Sequence, residues 1–294
     1  MADFISNIKS RFKNGDILIK LIFINVAVFI IFGIFNVVCT LFKIQSFDLD
    51  YYVGVPAHIP DAIRHPWTFF TYMFVHANLF HIFFNMIIFY GFGKIFLTFF
   101  SSRNMGGLYV LGGLGGAILY IAAFNLIPYY LDMRNSIMVG ASASVMAIIF
   151  ASAFYRPNTE VSLLLLGRIK IVYIAIFIFI LDFLALGSAE NPGGHIAHIG
   201  GAIVGFIFAK QYLKDRDITA WINRIIDKIV NLFKPKPKLR AKPNKNKRTR
   251  DYEYNERKNQ QIEEIDSILD KIKASGYSSL TKEEKKRLFD ASNK

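Results

Sequence analysis

One cysteine, Cys39, stands in a chain of 294 residues, which excludes an intrachain disulfide and any metal site built from several thiolates. Six histidines are present, but no HExxH pair or aspartate-rich cluster accompanies them. A metal held by those histidines would therefore lack its usual carboxylate partners. Charge is also scarce across the first two thirds of the chain, and the Lys and Arg responsible for the net charge of +13 are concentrated after residue 210. The first sixteen residues lack an apolar core followed by a small-residue cleavage site, so no cleavable signal peptide is expected.

What is abundant is apolar. Hydrophobic residues make up 53% of the chain and include 29 Phe, more than the core of a soluble domain of this size can absorb. The chain reads as an all-α polytopic membrane protein. Six segments have roughly the length of a bilayer crossing: residues 17–42, 79–100, 108–127, 138–155, 169–187 and 195–212. Asn36 is the main polar interruption of the first. Between the first and second, residues 43–66 mix Asp48, Asp50, Asp61, Pro56, Pro60 and Pro66 with aromatic residues. This is a long outer loop whose Tyr51, Tyr52 and Trp67 suit the interfacial belt, and a loop of that length is usually functional.

Basic residues orient the bundle. Lys9, Arg11, Lys13 and Lys20 precede or open the first segment, Lys94 and Arg103 flank the turn after the second, Arg156, Arg168 and Lys170 that after the fourth, and Lys210, Lys214 and Arg216 follow the sixth. The opposite loops carry Asp48, Asp50, Asp61, Asp132 and Glu190 with only Lys43, Arg64 and Arg134. The positive-inside rule then predicts cytoplasmic termini, and the second, fourth and sixth helices begin on the outer side.

The polar residues of those three helices all lie near their beginnings: His76, His81 and Asn85; Ser142; His195 and His198. At 1.5 Å of rise per residue, Ser142 falls about 6 Å below the start of segment 138–155 and His198 only slightly deeper in its own, while His81 and Asn85 share a face. Ionisable groups inside a membrane are expensive and usually face a bundle interior or a wet cavity, so one outward-facing polar pocket is expected. A serine among the small residues 140–144 is by itself commonly a packing residue. An imidazole within reach makes it a nucleophile candidate instead. Gly112 with Gly116, and Gly201 with Gly205, are four-residue repeats that permit tight crossings, and His198 shares a side of its helix with Gly201 and Gly205. Ser144, about 200° round the helix from Ser142, faces away if Ser142 faces a base.

The residues His76-Ala-Asn-Leu-Phe-His81-Ile-Phe-Phe-Asn85, then Gly140-Ala-Ser142-Ala, then Ala197-His198-Ile-Gly-Gly201 with Gly205, resemble those of rhomboid intramembrane serine proteases, over about the first 212 residues. The resemblance implies a six-helix bundle, a Ser142 nucleophile, a His198 general base, and an oxyanion hole made by the Ser142 backbone N–H with His81 and Asn85, supported by His76 and Gly140. It implies no cofactor and no metal, and transmembrane proteins as substrates. Three positions depart from the family pattern: Ala143 replaces the glycine usual after the nucleophile, Met146 the aromatic residue usual one turn later, and Thr68 the arginine often found after Trp67. Two other function classes stay open, an inactive relative that binds membrane helices and a metal-dependent protein using His76, His81, His195 and His198. His195 is expected only to line the pocket mouth. Asp182 is expected to reach water near the outer end of its helix rather than to back His198, since the family pairs serine with histidine alone.

The expected domains are an amphipathic segment over residues 1–16, the six-helix bundle over 17–212, an amphipathic helix with a basic linker over 213–250, and a helical hairpin over 251–294. Trp221, Ile222, Ile225, Ile226, Ile229, Val230 and Phe233 oppose Arg224, Asp227 and Lys228, a pattern suited to the inner face of a lipid bilayer. Residues 234–250 hold nine Lys or Arg, three Pro and no acid, a composition of an unfolded linker drawn to anionic lipid headgroups, with nucleic acid not expected. Two short helices over 262–274 and 281–291 follow, the second opened by a capping box of Thr281 and Glu284. The tail resembles those on some bacterial rhomboids, so a bacterial inner membrane is the expected location.

Overall fold

The structure, a computed structural model, describes residues 15–44, 49–163, 167–187, 191–233 and 245–292. All but the last two residues of the expected amphipathic segment over 1–16, and most of the basic linker, lie outside the described residues. The chain divides into two compact units, Met1–Lys234 and Pro235–Lys294.

The first unit is an all-α membrane bundle. Helix α1 (Ile17–Leu41) is capped by Asp16, whose side chain accepts the Ile19 N–H at 3.0 Å. The loop after α1, named the outer loop for the side it is expected to face, then folds into α2 (Leu49–Val53), β1 (Val55–Pro56), α3 (Ile59–Arg64) and α4 (Thr68–Thr71). After it come α5 (Leu79–Phe99), α6 (Ser102–Leu126), β2 (Ile137–Met138) and α7 (Ser142–Tyr155). A hairpin of β3 (Glu160–Leu163) and β4 (Gly167–Lys170) leads to α8 (Ile171–Leu184), α9 (Pro192–Tyr212) and α10 (Ala220–Phe233). Helices α1, α5, α6 and α9 are long and apolar enough to cross a bilayer, whereas α7 and α8 are shorter apolar helices of 14 residues.

Helix α7 is the axis of the bundle. Eleven of its 14 residues are buried, and it is packed by α5, α6, α8 and α9. Membrane helices gain nothing from leaving water, so their contacts need close backbones or hydrogen bonds. Both are present. Any side chain at Gly201 would strike the Ala143 carbonyl, and one at Gly205 the Ala147 carbonyl, so α9 lies directly on the backbone of α7. Gly112 and Gly116 of α6 press against Ala147 and Ala143 in the same way. The polar tie of α1 is Asn25 rather than the exposed Asn36. Asn25 is fully buried and donates to the Tyr109 hydroxyl at 3.1 Å, and that hydroxyl donates to the Met73 carbonyl at 2.8 Å.

Helix ends differ from the hydropathy pattern in two instructive ways. Helix α6 begins at Ser102 instead of residue 108, because Ser101 and Asn104 form a capping box that starts a helix ahead of the apolar run. Segment 138–155 is helical only from Ser142. Residues 137–138 instead pair antiparallel with the outer loop, Val55 opposite Met138 and Pro56 opposite Ile137. Ser142 is thus the first residue of its helix, not a residue one turn inside it. At 1.5 Å per residue α7 is about 21 Å long, shorter than a hydrocarbon core of about 30 Å.

The outer loop is tied without the missing arginine. Trp67 Nε1 donates to the Tyr52 carbonyl at 2.8 Å, the Thr71 hydroxyl to the Val53 carbonyl at 2.7 Å, and Asn125 Nδ2 of α6 to the Ala57 carbonyl at 2.7 Å. At the other end, α10 packs on the start of α6 through Asn104 with Asp217 and Arg103 with Asp227. Its Trp221, Ile225, Ile229 and Val230 remain exposed, as an apolar face for lipid requires.

In the second unit α11 (Lys245–Ser275) is one 31-residue helix, longer than the predicted 262–274, and it begins two residues past Pro243, the last helix breaker of the linker. Gly276, at φ 78°, turns the chain into α12 (Lys282–Ser292). The Thr281 hydroxyl accepts the Glu284 N–H at 3.3 Å and Glu284 accepts the Thr281 N–H at 2.7 Å. Lys271 and Arg287 bridge α11 and α12 through Glu284 and Glu264. The Lys271 ammonium and the Thr281 N–H hold the Glu284 carboxyl down at about 2.

Candidate active site

The turn into α7 fixes where Ser142 stands. Gly140 has φ +136°, a conformation closed to most side chains, and a Cβ there would meet the His81 ring at 2.8 Å and lie 3.6 Å from Ser142 Oγ. Its N–H donates to the Tyr72 carbonyl at 3.0 Å. Glycine is therefore needed twice over, for the backbone angle and so that the imidazole of α5 can approach the serine of α7. As the first residue of α7, Ser142 has a backbone N–H without an intrahelical acceptor, at the positive end of the helix dipole.

His81 and Asn85 come from the first turns of α5. Asn78 caps that helix, its side chain accepting the His81 N–H at 2.9 Å. Asn85 Nδ2 donates to the His81 carbonyl at 2.9 Å, which orients the amide and leaves its second N–H free to point elsewhere. His76 precedes α5 and is buried behind His81, the two rings edge-to-face with centroids 5.1 Å apart.

His195 and His198 sit on one face of α9, which Asn191 starts with its side chain accepting the Gly194 N–H at 3.2 Å. Asp182 of α8 reaches both. Its Oδ1 lies 2.8 Å from His195 Nδ1 and 2.9 Å from His198 Nδ1. Asp182 is 6% exposed, so it does not reach water as its place near a helix end suggested. Two imidazoles compensate the burial of its charge. His195 is likewise more than a lining residue. The same trio is a group that could hold a metal ion, its ligand atoms all within 4.8 Å of one another. The carboxylate that the sequence pattern lacked for such a site is therefore supplied by the fold.

These parts open into one cavity of about 1260 Å³, which His81, Asn85, Ser142, Asp182, His195 and His198 all line. Met146 lines it as well, where the resemblance led one to expect an aromatic ring. Gly201 and Gly205 lie outside it at the α7–α9 crossing. Ser142 and His198 share the cavity without a direct hydrogen bond, as is common in sites that tighten only around substrate. Ser144 is fully buried in the bundle, its hydroxyl without a hydrogen-bond partner. In the outer loop His58 pairs with Asp61 at 2.9 Å, and His65 packs edge-on against Tyr51, Tyr52 and Trp67.

Comparison with known proteins identifies the family. The rhomboid domain matches residues 64–215, about half of the chain. The chain belongs to the rhomboid family. Among curated rhomboids, the mitochondrial RHOMBOID-like protein 12 of Arabidopsis thaliana is 26% identical over 213 residues, covering 69% of this chain and 60% of that protein. Rhomboid-related protein 1 of Caenorhabditis elegans is 32% identical over 166 residues, 53% of this chain and 42% of that protein. The rhomboid protease AarA of Providencia stuartii is 24% identical over 165 residues, 50% of this chain and 56% of that protein. The chain thus spans about half the length of the curated rhomboids it matches. Residues 248–294 match a family of unknown function (DUF6576).

Asp182 is the site residue of this rhomboid that its sequence did not give away. It lies 13 and 16 residues before the two histidines on another helix, so no periodicity relates them. One signal was available. It is the sole charged residue within the apolar run of α8, and an isolated acid in a membrane helix has a partner or a task.

Proposed function

We propose that this rhomboid is an intramembrane serine endopeptidase that cleaves other proteins in or beside their transmembrane segments. The observation that carries the reading is the convergence of Ser142, at a helix N-terminus, with His198, His81 and Asn85 on one cavity. In this mechanism Ser142 Oγ attacks the scissile carbonyl carbon while His198 Nε2 takes the hydroxyl proton. The carbonyl electron pair moves onto oxygen, and the oxyanion is met by the Ser142 N–H, His81 and Asn85. One donor of this kind is typically worth about 3–4 kcal/mol of barrier. His198 then returns the proton to the leaving amine as the C–N bond breaks, and water releases the acyl group from Ser142 by the same steps in reverse roles. Gly140 and His76 hold His81 in place, and Gly201 and Gly205 keep α9 against α7.

Apolar residues surround the reactive groups, among them Phe80, Phe84 and Ile88 of α5 and Ile178 and Leu181 of α8. A cavity so lined suits an apolar segment whose helix has frayed, because an intact helix hides its carbonyls. Substrates are then single-pass proteins with Gly, Pro or polar residues near their outer ends. Both termini lie on the cytoplasmic side of a bacterial inner membrane, with the basic linker over anionic headgroups and residues 234–294 serving targeting or regulation rather than catalysis. The alternative of an inactive relative that binds membrane helices draws on the same family, where many members are inactive, and on the absent Ser142–His198 hydrogen bond.

Labelling of the detergent-solubilised chain with a fluorophosphonate, followed by mapping of the modified residue, tests the proposal. Modification of Ser142 together with cleavage of a transmembrane reporter is the expected result. No label and no cleavage would put the inactive relative first.

A further inference from the structure

Among the described residues, the acid nearest the proposed base is Asp182, and its geometry is that of a group committed to imidazole. Its Oδ1 meets Nδ1 of both His198 and His195, its Oδ2 is buried without a hydrogen-bond partner, and no Lys or Arg pairs with it. A carboxylate at Nδ1 makes that nitrogen the donor and leaves the lone pair on Nε2, the only tautomer in which the ring accepts a proton through the atom opposite.

We propose that Asp182 is the positioning residue for His198, so that the chain works as a serine–histidine–aspartate system in which one carboxylate serves two histidines. The inference rests on the serine protease reading above. When the Ser142 proton moves to His198 Nε2, the Nδ1 proton stays on nitrogen and Asp182 stays ionised, stabilising the imidazolium without taking a proton. His195 holds the same oxygen from a second side and fixes the carboxylate while His198 changes charge. The groups facing His198 are Asp182 from α8, His195 on its own helix and His81 from α5. Asp182 is the sole negative charge among them.

The separation of the two His198 nitrogens tells this role from a scaffolding one. In protein carrying ¹⁵N-labelled histidine, read at a pH where the imidazole is neutral, His198 should be protonated on Nδ1. In Asp182→Asn the amide can donate to Nδ1, and the signal should move to Nε2–H. The rate of fluorophosphonate labelling at Ser142 and kcat should fall by about tenfold or more with KM nearly unchanged, and Asp182→Glu should recover part of the loss. Wild-type labelling rates in Asp182→Asn, or an unchanged His198 tautomer, would overturn the inference. So would a loss shared equally between kcat and KM that Glu does not relieve. Should Asp182→Asn fail to fold, the Glu variant decides through the same tautomer signal, Nδ1–H expected and Nε2–H overturning. A wild-type chain that takes no label at Ser142 removes the protease reading itself, whatever the tautomer of His198.

Discussion

Two histidine pairs stand at the site, His81 backed by His76 and His198 beside His195, and they are built on opposite principles. His76 and His81 pack edge-to-face, neither in an ion pair with an acid among the described residues, and His76 is almost fully buried. His195 and His198 share a buried carboxylate. Burial without an opposite charge keeps an imidazole neutral, fit to donate a hydrogen bond from a fixed place. A carboxylate at Nδ1 instead fixes which ring nitrogen is left to accept a proton. In the proposed mechanism the same side chain is a donor on α5 and a base on α9, and Asp182 marks the difference between them.

The strongest way to break this comparison is to remove one member from each side. His198→Ala should abolish cleavage of a transmembrane reporter, a loss of about 10³-fold or more, as should Ser142→Ala, since members of a nucleophile–base unit fail together. His81→Ala should cost about 10²-fold, the usual effect of deleting one oxyanion donor. Both are read as kcat/KM in detergent with the melting temperature as control. Equal losses at His81 and His198 would erase the distinction between donor and base. Cleavage by Ser142→Ala at the wild-type bond would erase the serine mechanism.

His195 sharpens the contrast, because it touches the same oxygen as His198 without being the proposed base. His195→Ala should slow turnover about three- to tenfold, between the two extremes expected of a bystander and a base. Chelation tests the competing use of the trio. Activity should survive strong chelators, since the proposed steps use only protein groups. Loss of activity that zinc restores would instead assign Asp182, His195 and His198 to a metal.

How much of this could be read in the sequence depends on whether periodicity carried it. Ser142, His198, Gly201 and Gly205 were legible because helical spacing puts them on faces, and the glycines then bring α9 onto α7. Hydropathy could not tell that residues 137–138 form a strand and that the helix waits until Ser142. Met138 and Val139 are as apolar in a strand as in a helix, and only pairing with Val55 and Pro56 decides the matter. The start of α6 was hidden because Ser101 to Gly107 are, Met105 apart, polar or small, yet the cap they form needs no apolar residue. The position of Asp182 near a helix end points to water and not to a partner. Depth along one helix does not reveal which way a side chain points, and α9 supplied both its partners from elsewhere.

The smallest expected effect belongs to Ser144, two residues from the proposed nucleophile. Its hydroxyl is buried in the bundle with no hydrogen-bond partner, and the backbone there is pressed by Gly112 of α6. A buried hydroxyl without a partner costs stability, and alanine fits the same space without the polar atom. Ser144→Ala should therefore leave kcat/KM within about twofold of wild type, and the melting temperature unchanged or raised by a degree or two. Fluorophosphonate labelling should remain at Ser142. A large loss of activity in a folded Ser144→Ala protein would mean that this hydroxyl turns into the cavity during turnover, and the assignment of Ser142 as sole nucleophile would have to be given up.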